Sequence, residues 1–220
     1  SIKTNLFTPV KFNNVEYSLR KINKKISSKD SDKYFRFKTK NFLYYLDWLM
    51  KKKELKKCCF LDRDGVINKN YGHITMINKI KILKKVPKAI KYLNSKNYLI
   101  IIITNQSVVG RGIITIKKIN DIHKYLLELL KKRGAKINDI FVCPYHPKFG
   151  LGKYKRNSID RKPNNGMLEK AIKKWGIDRD KSFMIGDQKT DYLCAKKSKI
   201  KFYYKKKINL FKQIVSIKLV

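Results

Sequence analysis

Acidic residues are scarce in this sequence: 16 Asp and Glu stand against 54 Lys and Arg, a formal net charge of +38 with a pI near 10.1. Such a field attracts polyanions such as nucleic acid or an anionic membrane. The lysines are nevertheless spread through every stretch alongside Ile and Asn, the pattern of a general compositional drift. Either origin steers phosphorylated substrates inward. Cysteine is also scarce. Cys58, Cys59, Cys143 and Cys194 form no small-secreted-domain framework, two of them being adjacent in an apolar run. A reduced, cytoplasmic protein is the expectation. No apolar run approaches the roughly 18 residues that span a bilayer, and the sequence, which begins at Ser1, opens without a signal peptide's apolar centre. What is abundant is core material: 43% hydrophobic and 12% aromatic residues exclude global disorder.

Two regions differ in character. Residues 1–56 read as an N-terminal extension, with a polar break at 27–33 and a charged linker at 51–57. Between them, residues 42–50 place Leu43, Leu46, Leu49 and Met50 on one helical face, widened by Tyr44, Tyr45 and Trp48. That helix suits docking on the main domain, a partner, or a membrane interface. Its role is open.

Residues 57–220 read as an α/β domain. Residues 58–61 are a short buried strand. Val86, Ala89, Ile90 and Leu93 mark a helix face, and residues 98–104 are a run rich in β-branched residues, as in a parallel strand buried on both faces. Ile119, Ile122, Leu126, Leu129 and Leu130 mark a second helix ended by Gly134, and residues 140–143 a third strand. A helix through Met167, Leu168, Ala171, Ile172 and Trp175 follows, ended by Gly176. Residues 183–185, 190–198 and 200–204 complete the pattern as strand, helix and strand. Strand and helix alternate throughout, which predicts a Rossmann-like parallel sheet flanked by helices. Neither crossover holds an insert long enough for a large cap domain, so the site should be open.

Each strand is followed by polar residues. The first ends in Asp62 and Asp64, then Gly65; the second in Thr104, Asn105, Gln106 and Ser107, then Gly110, Arg111 and Gly112. The third leads to Arg161, Lys162 and Pro163, and the fourth ends in Gly186, Asp187, Gln188 and, further on, Asp191. In a parallel sheet these ends lie along one edge, the usual ligand crevice. Alternation aims Asp62 and Asp64 the same way, with Arg63 pointing elsewhere. Any one group could be a satisfied turn or cap; all four together argue for a site. Carboxylates without His or thiolate suit a hard cation such as magnesium. Hydroxyl, amide and lysine suit phosphate oxygens. An aspartate can accept a phosphoryl group, and a second acid two residues on can protonate a leaving oxygen and then activate water.

Asp62-x-Asp64-Gly65, Thr104, Lys162 and Gly186-Asp187-x-x-x-Asp191 resemble the four motifs of the haloacid dehalogenase superfamily of phosphotransferases. The longer strings 62–68, 104–107, 110–112 and 161–163 resemble its branch of heptose-bisphosphate and histidinol-phosphate phosphatases. The resemblance covers roughly residues 57–204. It implies a magnesium-dependent phosphatase acting through an aspartyl-phosphate on a small phosphorylated metabolite, most simply the 7-phosphate of heptose 1,7-bisphosphate, with histidinol phosphate as the alternative. It implies that Asp62 is the nucleophile and a metal ligand. Asp64 would be the acid/base, with its carbonyl on the metal. Thr104 and Asn105 would bind the phosphoryl group, Lys162 would neutralise it, and Asp187 would complete the metal site with Asp191 in support. Arg161 and the loop from Gln106 through Ser107 to Arg111 would hold the substrate's distal part.

This sequence departs from that branch in one loop. Where relatives commonly carry zinc-binding Cys-x-His and Cys-x-Cys pairs, it reads Cys143-Pro144-Tyr145-His146, then Ser158-Ile159-Asp160. Cys143 and His146 alone cannot complete a structural zinc site, which needs four ligands. No structural zinc is expected, and packing by Tyr145, Phe149 and Tyr154 must hold the loop instead. Gln188 stands where the heptose enzymes commonly have lysine. A polynucleotide 3′-phosphatase, which would use the basic surface, and a degenerate binding module are the competing readings.

Overall fold

The computed structural model describes residues 55–219, which fall within one compact unit, Lys52–Val220. The helix expected over residues 42–50 lies outside the described residues, as does nearly all of the extension.

Five strands form one parallel sheet: β1 (Cys58–Leu61), β2 (Leu99–Asn105), β3 (Asp139–Cys143), β4 (Phe183–Gly186) and β5 (Lys201–Tyr204), in the order β3-β2-β1-β4-β5. Six α-helices are described: α1 (Val86–Ser95), α2 (Ser107–Gly110), α3 (Ile116–Lys132), α4 (Gly166–Trp175), α5 (Lys189–Lys197) and α6 (Leu210–Val215). The expected elements therefore recur within a residue or two at most ends. Two short helices were not anticipated. α2 is a single turn after β2, and α6 is capped by the Asn209 side chain, which accepts from the Lys212 N–H at 3.0 Å.

The pleat of β1 divides the core. Cys59 and Leu61 pack on one face with Ile100 and Ile102 of β2 and with the apolar stripes of α1, α3 and α6. Cys58 and Phe60 pack on the other with Ile101, Ile103, Met167, Leu168 and Ala171, and with Cys194 and Ala195. Side chains alternate across a strand, so burial on both faces requires the uninterrupted apolar runs seen in β1, β2 and β4. The edge strand β5 is only half-buried.

After β1 the chain builds outward to β2 and β3, then returns to place β4 on the opposite side of β1. The strand order thus reverses between β1 and β4. At such a switch point two successive connections leave in opposite directions and open a crevice beyond the carboxyl ends of the strands. Asp62 follows β1 and Asp187 follows β4, so the two acids flank that crevice.

Candidate active site

A cleft of about 210 Å³ lies at this edge, lined by Asp62, Asp64, Thr104, Asn105, Gln106, Ser107, Lys162, Asp187 and Asp191. These nine residues end or follow four strands, Lys162 by way of the loop after β3 and Asp191 from the first turn of α5. Asn70, Gly72, His73, Val108, Gln188 and Thr190 complete the wall. No strong periodicity marks residues 69–84, so nothing in the sequence assigns Asn70 or His73 to the site.

Lys162 is the hub. Its ammonium is buried, donates to the Ile103 carbonyl at 2.9 Å and forms ion pairs with Asp62 Oδ1 at 2.9 Å and Asp191 Oδ1 at 2.6 Å. The two carboxylates hold its proton more firmly than usual, against the opposing pull of burial. Asn105 fixes the main chain of Lys162 from both sides. Its Nδ2 donates to the Lys162 carbonyl at 3.0 Å and its Oδ1 accepts from the Lys162 N–H at 3.1 Å. Asn105, expected to bind the phosphoryl group, lines the cleft, while its side-chain amide is committed to the lysine loop.

Asp62 accepts from the Arg63 N–H at 2.7 Å and from Lys162, both on Oδ1. Its hydrogen bonds therefore leave Oδ2 to the cleft. Burial pushes the Asp62 carboxyl up to about 7; Lys162 opposes the rise and Asp191 adds to it. Asp187 is likewise raised, chiefly by burial, and its Oδ1 is buried without a hydrogen-bond partner. Asp62, Asp187 and Asp191 each offer an oxygen within 4.8 Å of the others. Three carboxylates around one ammonium leave an excess of negative charge, and the orphaned Asp187 oxygen points to a missing partner. The donor set is all hard oxygen, so the residues fit a magnesium-like cation.

Two glycines admit these acids. A side chain at Gly65 (φ +83°) would overlap the Asp187 carboxylate, and one at Gly186 would overlap that of Asp191. Gly65 also needs the left-handed conformation that L-residues avoid.

Asp64 is turned from the lysine. Its Oδ1 accepts from Asn68 Nδ2 at 2.8 Å and its Oδ2 from Gln106 Nε2 at 3.1 Å, while Arg63 grips both oxygens. Gln106 Nε2 also donates to Thr104 Oγ1 at 2.9 Å, linking the ends of β1 and β2. Arg63 was expected to point away from the acids; its guanidinium instead contacts both Asp64 and, on α3, His123.

Arg111 and Arg161 do not line the cleft. The Arg111 guanidinium lies 4.2 Å from the Phe149 ring centre, and Arg161 Nη1 donates to the Tyr145 carbonyl at 3.0 Å. Both are engaged with the loop over residues 144–161. That loop is held as a packed unit: Arg156 sits 3.8 Å over Tyr145, the Tyr145 and Tyr154 rings lie 5.9 Å apart, and the Leu151 N–H donates to the Gly110 carbonyl at 2.7 Å. His146 Nδ1 accepts from the N–H groups of Lys148 and Phe149, both at 3.1 Å.

The parallel sheet and the acid cluster at its switch point define a haloacid dehalogenase-like phosphatase, a hydrolase of phosphoric monoesters. A HAD-like phosphatase from Mesorhizobium loti superposes with a TM-score of 0.64 at 29% identity, covering 66% of this chain and 70% of that one. The D,D-heptose 1,7-bisphosphate phosphatase of B. bronchiseptica, solved with magnesium and phosphate, shares the fold with a TM-score of 0.62 at 23% identity, over 74% and 88% of the two chains. Residues 57–208 match the family described as polynucleotide kinase 3 phosphatase, and the chain belongs to it. Its relatives include the D-glycero-beta-D-manno-heptose-1,7-bisphosphate 7-phosphatase of Rhodopseudomonas palustris, 37% identical over 64% of this chain and 78% of that one. The D-glycero-D-manno-heptose-1,7-bisphosphate 7-phosphatase of Chlorobaculum tepidum is 34% identical over 67% and 77%.

Proposed function

We propose that this enzyme removes the 7-phosphate of D-glycero-D-manno-heptose 1,7-bisphosphate, with magnesium, through an aspartyl-phosphate on Asp62. The observation that carries this reading is the match to heptose-bisphosphate phosphatases over most of their length, which coincides with an intact acidic edge.

The steps follow from the side chains. Asp62 Oδ2 attacks the phosphorus, and the bond from phosphorus to the sugar oxygen breaks as that oxygen takes a proton from Asp64. Asp64, now ionised, takes a proton from water, whose oxygen attacks the phosphorus. The Asp62–phosphorus bond breaks and phosphate leaves. Thr104 and the main chain after β2 orient the phosphoryl oxygens. Lys162 keeps Asp62 oriented and offsets charge as the phosphoryl group arrives. Asp62, Asp187 and the Asp64 carbonyl would hold magnesium, with Asp191 bracing Lys162 and accepting from the Gln188 N–H at 3.1 Å. Magnesium bound there would neutralise the carboxylate excess and the phosphoryl charge. Arg111 and Arg161, which the structure holds against the loop over residues 144–161, carry the positive charge that would suit the substrate's second anionic group.

The family's description and the basic surface favour one second reading, a polynucleotide 3′-phosphatase. Phosphate release from heptose 1,7-bisphosphate, histidinol phosphate and a 3′-phosphorylated oligonucleotide separates the readings. Preference for the heptose is expected; release from the oligonucleotide alone would overturn the assignment.

A further inference from the structure

Arg63 is fully buried, yet it belongs to neither the expected nucleophile nor the metal ligands. Its guanidinium bridges two elements that the chain order keeps apart. Toward the cleft, Nη2 donates to Asp64 Oδ2 at 2.7 Å and Oδ1 at 3.0 Å, and Nε donates to Oδ1 at 3.1 Å. Toward the core, Nη1 lies 2.9 Å from Nε2 of His123, a buried residue of α3. A guanidinium has donors only, so Nε2 accepts and the imidazole proton sits on Nδ1. Burial and the adjacent Arg63 charge keep this ring neutral, pulling it down to about 3. His123 shares the stripe of Ile119, Ile122 and Leu126, whose packing fixes its position.

An acid/base carboxylate must present one oxygen to the reacting atoms, and a free aspartate rotates about two bonds. Here a planar fork prevents rotation, with Asn68 adding a third donor on Oδ1 and Gln106 a second on Oδ2, so Oδ2 is the oxygen left to face the reacting atoms. We propose that Arg63, itself anchored by His123, is a positioning residue that aims the Asp64 carboxylate at the oxygen leaving the phosphoryl group. The inference rests on the acid/base role given to Asp64 above. A lysine in this place would offer a point charge without the fork, and an apolar residue neither.

The test uses two substrates of the full chain with magnesium, an alkyl phosphate and p-nitrophenyl phosphate. The nitrophenolate leaves without a proton, so only the alkyl ester needs an aimed acid. kcat/KM reports the steps up to transfer onto Asp62. Arg63→Met is expected to lower kcat/KM for the alkyl ester about 10- to 100-fold, as loss of an orienting partner usually does, and for the nitrophenyl ester much less. Arg63→Lys should fall the same way. His123→Phe should reproduce the pattern more weakly, and His123→Gln, which keeps an acceptor, should restore it. Magnesium affinity by calorimetry should stay unchanged in all four. If Arg63→Met does not fold, Arg63→Lys and the His123 pair decide the question. Equal losses on both esters, or none, would overturn the proposal. Asp64→Asn is the control. If it discriminates between the esters and the Arg63 variants do not, the positioning role alone falls; if it does not discriminate, the acid/base role falls first.

Discussion

Asp62 is the residue where burial and charge compete most directly. Its carboxyl, raised to about 7, binds a proton in the folded protein over a range where the unfolded chain, near 4, has already released it. The native state then holds more protons than the unfolded one, so this group's contribution to stability falls as pH rises through that window. A divalent cation on Asp62 and Asp187 would replace the proton and reverse the loss. Magnesium should therefore raise the melting temperature more at about pH 7.5 than at about pH 5, where it competes with the bound proton. An equal shift at both, read by calorimetry, would argue against Asp62 as a ligand. The carboxylates themselves were legible in the sequence because each follows an apolar strand. The partners of Asp64 were not. Strand alternation predicts only where Arg63 leaves the backbone, and its return depends on the turn at Gly65 and on His123, sixty residues away. The two-sided grip of Asn105 on Lys162 was hidden for the same reason, since it joins residues 57 apart.

At the scale of elements, the parallel strands were readable because β2 is a β-branched run that only a doubly covered strand can bury. α3 was readable because Ile119, Ile122, Leu126 and Leu130 keep one face. α6 was missed. It is six residues long, and its reason for existing is tertiary: Phe211 packs edge-on against Tyr92 of α1 at 6.0 Å. The loop over residues 144–161 carries the sharper lesson. The missing thiolates said what could not hold it; the structure supplies what does, a ladder of Arg156, Tyr145 and Tyr154 with Arg111 on Phe149. Tyr145→Ala removes a ring pair and a cation contact and should cost about 1–3 kcal/mol by denaturant unfolding. Elemental analysis is expected to find less than about 0.1 equivalent of zinc. A full equivalent of tightly held zinc would contradict the packed-loop explanation.

Across the whole molecule the excess of basic charge acts at long range rather than in the fold. The cleft is locally acidic, yet the surrounding field favours the approach of anionic substrates. Raising ionic strength from about 0.02 to 0.2 M shortens the screening length to under about 10 Å. kcat/KM for a bisphosphate should then fall severalfold while kcat changes little. A flat salt response would mean that the lysines are compositional drift without kinetic effect. Peptide mass mapping after rapid acid quench reads the chemistry at Asp62 directly. With heptose 1,7-bisphosphate and magnesium, a phosphoryl group is expected on the peptide that contains Asp62, disappearing as substrate is exhausted. Full turnover with Asp62 never modified, or with the phosphoryl group on another residue, would contradict it.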